Sequence, residues 1–243
     1  MGIEDMPSGI DVRRRQVLLL LASLSAGCVT PLPAPRGRPL PNPATVPPVR
    51  APRPGQSWTY GMRNVFNGLS VDTLTETVLS VGDEVRIGRV SGHAGTLEEE
   101  IQHPWGMILR DPHWNPTVLF SQALPLWPLE FQPGWTRDFY TRYQIPELQG
   151  SLFDWWLTME VLGWEELAVP AGTFRTLKFS NHIRFQSHEF YYRLSSERTE
   201  TIWLVPEIGR WAMRRSSGVY YIEGFGSRMR EDDLEWSLLS LNG

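Results

Sequence analysis

From residue 56 onward, apolar and polar positions alternate with a period of two, the pattern of half-buried β-strands. The aromatic-rich segment 57–66 is followed by Asn67-Gly68, a pair that favours a tight hairpin turn between apolar runs. Segment 71–81 is rich in β-branched residues, and segment 84–90 repeats the alternation after another short turn. These three segments predict a β-meander.

The second half of the chain predicts further antiparallel pairs. Segments 164–169 and 174–186 flank a Pro-Ala-Gly-Thr turn. The remaining predicted strands are short and lie at 199–205, 211–214, 219–222 and 234–241. No segment has the 3.6-residue period of a long amphipathic helix, and the set amounts to about ten strands. The predicted fold is therefore all-β and antiparallel, as a closed or partly closed barrel or a strongly curved sheet.

Residues 101–149 are the least regular part of this region. They contain Trp105, Trp114, Trp127 and Trp135 among many prolines. The prolines around Trp127 exclude an interior strand there, because proline donates no ladder hydrogen bond. We expect this stretch to cross a barrel mouth or cover a sheet edge. Either the four indoles form an apolar surface for a ligand or partner, or they fill the core from a long ordered loop.

Two adjacent tryptophans, Trp155 and Trp156, make a separate prediction. Successive side chains of an extended chain point to opposite faces of the sheet. A single core can therefore bury only one of the two, and the other is expected to face solvent or to be covered by something else.

Before residue 56 the alternation is replaced by a short apolar run and a proline tract. Three consecutive arginines at 13–15 precede the apolar segment 17–24, and small residues follow it. The apolar stretch covers about ten residues, whereas a helix that crosses a bilayer needs roughly 20. This order predicts a secretory signal peptide over residues 1–27.

The segment Leu24-Ser25-Ala26-Gly27-Cys28 resembles the lipobox of bacterial lipoprotein precursors. The resemblance implies cleavage between Gly27 and Cys28, and acylation of Cys28, with palmitate among the acyl groups. Two or more acyl chains anchor a protein stably, since each buried methylene contributes about 0.8 kcal/mol. Val29 rather than aspartate follows the cysteine, which by the sorting rule of Gram-negative lipoproteins implies the outer membrane rather than the inner one. We expect the protein on the periplasmic face of that membrane rather than on the cell surface.

Residues 28–55 are predicted to be a proline-rich linker. They hold half of the chain's 20 prolines and few large apolar side chains, so they cannot bury enough surface to fold alone. An extended spacer of this length would reach up to ~80 Å. A Pro-x-x-Pro docking site is the alternative, and the arginines of the segment are candidates for contact with anionic lipid.

The remainder, residues 56–243, is long enough for one domain with its own core. The net charge of −4 gives no indication of nucleic-acid binding. Because Cys28 is the only cysteine, an intramolecular disulfide is excluded, and acylation would also remove the one obvious nucleophile.

Two turn motifs carry a second resemblance. Val169-Pro170-Ala171-Gly172-Thr173-Phe174 and Trp203-Leu204-Val205-Pro206-Glu207-Ile208-Gly209 are similar to hairpin motifs, VPAGTF and W-x-x-P-E-x-G, of uncharacterised bacterial exported proteins. The resemblance implies a β-rich domain over about residues 56–226 and no established activity. In both motifs proline and glycine supply turn geometry rather than chemistry.

Residues with catalytic or ligand-binding chemistry give weak signals. His103, Asp111 and His113 share a region, but their spacing matches no recurrent metal site, so we expect neither a metal nor a cofactor. The acidic runs 98–100 and 165–166 are expected to be solvated faces, because alternate members of a strand point in opposite directions. No nucleophile elbow and no phosphate-binding glycine loop is present.

The sequence thus favours a non-enzymatic envelope lipoprotein that is anchored in a membrane and binds an apolar ligand, a lipid or another envelope protein. A purely structural or assembly role at the outer membrane is the alternative, and an envelope hydrolase is a third. A hollow domain would favour ligand binding, whereas a packed interior with exposed tryptophans would favour assembly.

Overall fold

A computed structural model describes residues 37–148, 150–188, 196–221, 228–230 and 233–243, which all belong to one compact unit. The predicted signal peptide, the Gly27–Cys28 cleavage site and the first part of the proline-rich linker lie outside the described residues. Within the described part of the chain, no helix has the length and apolar character needed to cross a membrane.

The described residues form fourteen β-strands and one short 3₁₀ turn, Pro206–Ile208. The strands are β1 (Arg38–Leu40), β2 (Ser57–Asn64), β3 (Ser70–Val81), β4 (Val85–Ser91), β5 (Gly95–Gln102), β6 (Met107–Asp111), β7 (Val118–Pro125), β8 (Thr136–Gln144), β9 (Phe153–Val169), β10 (Gly172–Phe185), β11 (Ser196–Val205), β12 (Arg210–Tyr221), β13 (Arg228–Arg230) and β14 (Leu234–Asn242).

Twelve of these strands close into an antiparallel barrel. The hydrogen-bonded order runs β9-β10-β11-β12-β14-β2-β3-β4-β5-β6-β7-β8, and β8 pairs back onto β9. The two short strands outside the ring are β1, which pairs with β9, and β13, which pairs with β12. The predicted all-β barrel fold is confirmed, and full closure leaves no open edge among these twelve strands.

The predicted meander is β2–β4, and a hairpin is present at each of the two turn motifs, β9–β10 and β11–β12. The prediction was less accurate for residues 101–149, which contribute β6, β7 and β8 to the barrel wall instead of forming one irregular loop. Pro125 ends β7, opposite Met107 at the start of β6, so proline stands at a strand terminus where its missing N–H is tolerated.

Residues 37–55, here called the strap, lie against one end of the barrel. Arg38–Leu40 pairs with Trp164–Glu166 of β9, and the N–H of Arg50 donates to the carbonyl oxygen of Pro206 at 2.8 Å. At the end of the strap, the N–H of Gly55 donates to the carbonyl oxygen of Val78 at 2.8 Å. We call this end of the barrel the strap end and the opposite end the far end.

The strap corrects the expected extent of the linker, which was placed over residues 28–55. Its described part is attached to the barrel, and Val49 packs against the core. Prolines do not prevent the attachment, because β1 is an edge strand and, among the described residues, no further strand pairs with its outer side. The contacts with β9 and Pro206 join residues more than a hundred positions apart, which composition alone cannot reveal.

The barrel interior is a filled core. Large apolar side chains from every part of the ring are buried, among them Trp58, Trp203 and Phe179 at 0% exposure. The loop after β6 folds inward, so that Trp114 contacts Trp155 and Phe185 edge-to-face, with ring centroids 4.6 and 5.1 Å apart. Trp155 is buried and Trp156 is 37% exposed, as the alternation predicted.

Candidate functional site

A group of charged side chains lies in the middle of this core, centred on Arg210. Its Nε and Nη2 donate to Oε2 of Glu76 at 3.0 and 2.8 Å. Its Nη1 and Nη2 donate to Oε1 and Oε2 of Glu100 at 2.9 and 2.6 Å. All three side chains have 0% exposure. The guanidinium therefore forms charge-assisted hydrogen bonds to two carboxylates that are fully shielded from solvent.

Three strands position these groups. Glu76 alternates with buried Leu74 and Val78 along β3, so it points inward with them. Glu100 is the inward residue near the end of β5. Arg210 opens β12 directly after Gly209, whose φ of 69° turns the chain at the strap end. Arg210 also lies 3.8 Å from the ring centroid of Trp211, where its planar guanidinium stacks on the indole.

His113 extends the group from the inward-folded loop. Its Nε2 lies 2.8 Å from Oε1 of Glu76, and its Nδ1 lies 2.9 Å from Oδ1 of Asp111. The ring thus lies between two carboxylates and joins the inward-folded loop to β3.

Further cations and one more carboxylate complete the charged core. Nε of Arg89 lies 3.6 Å from Oε1 of Glu76, and Nη2 of Arg214 lies 2.6 Å from Oε1 of Glu200. Three arginines and His113 face four carboxylates in this group. The members are Arg89, His113, Arg210 and Arg214 against Glu76, Glu100, Asp111 and Glu200.

The mutual charges outweigh the cost of burial. Burial would raise the pKa of Glu76, but Arg210 and His113 hold it well below its usual range. Burial also disfavours the charge of Asp111, yet the hydrogen bond and charge of His113 keep the pKa of that carboxyl far below normal. Conversely, burial opposes the charge of Arg210, and the two glutamates raise its pKa above the usual value.

Three of these residues have the donor types of a metal site. One ligand atom each from Glu76, Glu100 and His113 lies within 4.8 Å of the others. The guanidinium of Arg210, however, already bonds both carboxylates and neutralises them. A divalent cation would have to displace it, so the geometry fits a structural ion-pair cluster better than a metal centre. Of the three residues considered from sequence, Asp111 and His113 meet here, whereas Nδ1 of His103 contacts the carbonyl oxygen of Asp83 at the surface.

A cavity of about 40 Å³ borders the charged core, where Asp111, Asn181, Glu200 and Arg214 face Trp114 and Trp155. This space suffices for a few water molecules. Small-molecule sites typically enclose about 300–1,000 Å³, so the cavity is far too small for a lipid or an acyl chain.

A larger groove lies outside the barrel, at the strap end. Its volume is about 630 Å³, and it runs between strap residues 46–49 and the β7–β8 connection at residues 127–132. Trp105 and Trp127 form part of its wall in an edge-to-face contact, with centroids 5.4 Å apart. Leu129 on its rim is 54% exposed.

The four tryptophans considered from sequence therefore do not form one surface. Trp105 and Trp127 meet at the groove, Trp114 is 8% exposed inside the barrel, and Trp135 packs against the core next to Val161. Trp114 thus fills the core, whereas the use of Trp105 and Trp127 as a surface for a ligand or partner stays a prediction. Cys28 and Gly27, the predicted lipidation and cleavage residues, lie outside the described part of the chain.

Sequence reasoning missed the charged core. The acidic run 98–100 was expected to be solvated, which is wrong for Glu100 because its strand turns that residue inward. Glu98 and Glu99 do pair at the surface, with Arg110 and Arg86. The available signal was at Glu76, which shares the inward face of β3 with Leu74 and Val78. In the run 165–166, Glu165 is mostly buried and accepts from Nζ of Lys178 at 3.0 Å.

No protein-family model and no curated protein matches the chain. Among solved structures, a Bacteroides fragilis protein named as exported, with a YmcC-like fold, is similar over 82% of this chain and 100% of its own, at a TM-score of 0.55 and 14% identity. A protein named as a lipoprotein from Parabacteroides distasonis is similar over 80% of this chain and 97% of its own, at 0.53 and 14%. The hypothetical lipoprotein YmcC from Escherichia coli covers 79% of this chain and 90% of its own, at 0.42 and 12%. The chain shares its fold with the first two, a fold found in proteins named as exported and as lipoproteins.

Proposed function

We propose that this chain is a lipid-anchored protein of the bacterial cell envelope that acts without catalysis, as an assembly component working through its outer surface. The anchor is Cys28, which carries the acyl chains and becomes the N-terminus on cleavage behind Gly27, and the location is the periplasmic face of the outer membrane. The proposed location in the cell envelope is supported by the lipobox resemblance and by a fold shared with proteins named as exported and as lipoproteins.

The filled barrel is the observation that carries the surface role. The interior cavity of about 40 Å³ has no room for an apolar cargo. The buried carboxylates and His113 bond one another and neighbouring arginines, so they are not presented to a substrate. A barrel built in this way is a rigid scaffold, and its contacts with other molecules are expected on the outside.

The anchor is tested by exchanging Cys28 for serine in the full chain, expressed in a Gram-negative host. We expect the wild-type protein to be found in the outer-membrane fraction and to incorporate labelled palmitate. The Cys28→Ser protein should lose the label and leave the outer-membrane fraction, because the lipid attachment point is gone. An unchanged membrane fraction with unchanged labelling would refute the anchor.

The groove at the strap end supports a second candidate function, the binding of an apolar ligand. Its volume of about 630 Å³ lies within the range of small-molecule sites, and most of its wall is apolar. Native mass spectrometry and lipid extraction of the purified protein test this. A bound molecule lost in Trp127→Ala would support it, and a protein that carries nothing would count against it.

A further inference from the structure

The point at which the chain enters the barrel limits the distance between barrel and anchor. Arg38 of β1 lies opposite Glu166, three residues before β9 ends at the strap end. Because β1 is antiparallel to β9, its N-terminal end points towards the strap end. Nine peptide links separate Gly37 from Cys28, and nine residues span at most about 32 Å. The linker is therefore much shorter than the spacer of ~80 Å expected from composition.

The apolar groove lies at the same end of the barrel as this entry point, since Phe131 in its wall contacts Trp164, which pairs with Leu40 of β1. Leu129 and Val46 on its rim are 54% and 40% exposed. Trp105 and Trp127 are only partly buried, and each packs against the core while contributing to the groove wall. Partly exposed tryptophans beside exposed aliphatic residues suit the interface between water and hydrocarbon, where indole rings concentrate.

The charges of the strap fit the same surroundings. Residues 37–55 contain Arg38, Arg50 and Arg53 and no acidic residue. Arg38 pairs with Glu166, and Nη1 of Arg50 donates to the carbonyl oxygen of Gly243, whereas Arg53 is exposed. Basic residues close to an anionic surface are attracted to it. Exposed Glu130 at the groove opposes this, so burial of apolar surface must supply most of the contact.

We infer that the strap end of the barrel rests on the lipid bilayer, with the groove formed by Trp105, Trp127 and Leu129 turned towards the headgroups. The inference depends on the proposed lipid anchor at Cys28. The far end, with the β2–β3 turn and its exposed Leu69, then points away from the membrane and is free for partners.

The single cysteine makes a direct test feasible. Once Cys28 is acylated, a Leu129→Cys exchange introduces the only free thiol, at a position that is already exposed. The matched control is Leu69→Cys, 64% exposed at the far end. Both full-length proteins are produced in lipidated form, labelled with an environment-sensitive fluorophore, and reconstituted into vesicles of phosphatidylethanolamine with a minor fraction of phosphatidylglycerol.

On the vesicle-bound protein, the label at residue 129 should emit at a shorter wavelength than the same label on the unlipidated Cys28→Ser counterpart in detergent-free solution. A quencher attached to the acyl chains of the vesicle lipids should also reduce its emission. The label at residue 69 should show neither effect. If both proteins float with the vesicles and the two labels behave alike, or only residue 69 is quenched, the orientation is wrong and the anchor stands. If neither lipidation nor flotation is found, the proposed function itself fails. A label at residue 129 that is shielded from water but not quenched by the lipid-attached quencher would indicate that something other than the bilayer occupies the groove, and would overturn the inference.

Discussion

Arg210 donates two parallel hydrogen bonds to Glu100, from Nη1 to Oε1 at 2.9 Å and from Nη2 to Oε2 at 2.6 Å, at a point with no solvent exposure. A buried ion pair of this kind contributes less to net stability than its short distances suggest, because both charges were removed from water. Its strongest effect appears when one partner is lost, since the other then stays buried without compensation.

The first prediction follows from that asymmetry. Replacing Arg210 by methionine leaves Glu76 and Glu100 buried without their principal cation. We expect a loss of about 3–5 kcal/mol in the free energy of unfolding, measured by urea denaturation. Arg210→Lys should also lose stability, because an ammonium cannot bond two carboxylates in the planar geometry of guanidinium.

The control is the neighbouring pair Arg86–Glu99, whose side chains are 51% and 32% exposed. Arg86→Ala removes the same kind of interaction from the surface and should cost no more than ~1 kcal/mol. Equal losses for Arg210→Met and Arg86→Ala would contradict the view that burial makes Arg210 indispensable.

The second prediction concerns acid. The pKa values of Glu76 and Asp111 lie below their ordinary range in the folded protein, because neighbouring positive charges overcome the effect of burial. A carboxyl with a lowered pKa contributes stability that is complete above its unfolded pKa of about 4 and is lost as the pH falls further. The free energy of unfolding should therefore fall steadily from about pH 5 downwards.

Asp111→Asn isolates one member of this pair. The variant should be less stable than wild type at neutral pH, because His113 loses a charged acceptor, and its stability should depend less steeply on pH below pH ~4. Urea denaturation of wild type and variant at a series of pH values measures the free energy of unfolding at neutral pH and its dependence on pH. Parallel curves for wild type and variant would show that Asp111 contributes nothing to the acid transition.

These charged residues also show where prediction from sequence stops. The period-two pattern was sufficient for the β2–β4 meander and the turn motifs, because each of these is local. The Arg210 cluster joins β3, β5 and β12 with the loop after β6, and such contacts depend on the order of strands around the ring. The order of the strands is fixed when the ring closes, and no single segment of the sequence encodes that closure.

The strap was misjudged for a related reason. Its proline content correctly indicated that it has no core of its own. What holds it is backbone pairing with β9 and contacts at Pro206 and Val78, all supplied by the completed barrel. Amino-acid composition indicates whether a segment can fold by itself. The surface to which the strap binds is formed by other parts of the chain, so the composition of the strap does not predict the contact.

The third prediction tests the seating of the strap. Gly209 has a φ of 69°, and a Cβ added there would lie 2.6 Å from the carbonyl oxygen of Arg50 in the strap. Gly134 has a similar φ of 83° but open space around it. Gly134→Ala should cost only the conformational term of about 1–2 kcal/mol, whereas Gly209→Ala should cost more and loosen the strap.

Limited proteolysis with trypsin reads out the strap directly, since the Arg50–Ala51 bond lies within it, whereas Arg38 and Arg53 are each followed by proline and resist trypsin. We expect faster cleavage after Arg50 in Gly209→Ala than in wild type or Gly134→Ala. The same cleavage rate in all three proteins would mean that the strap does not depend on close contact with the β11–β12 turn.

The fourth prediction compares two adjacent residues of β9. Trp155 is 2% exposed and contacts Trp114 and Phe120 edge-to-face, with centroids 4.6 and 5.0 Å apart, whereas Trp156 is 37% exposed and faces outward. Trp155→Ala should cost about 3–5 kcal/mol in urea denaturation, because it leaves a cavity in the filled barrel. Trp156→Ala should cost about 0.5–1.5 kcal/mol, from lost stacking with Tyr140 and Arg184. If the order of the two losses were reversed, the register of β9, and with it the inward face of the barrel wall, would be wrong by one residue.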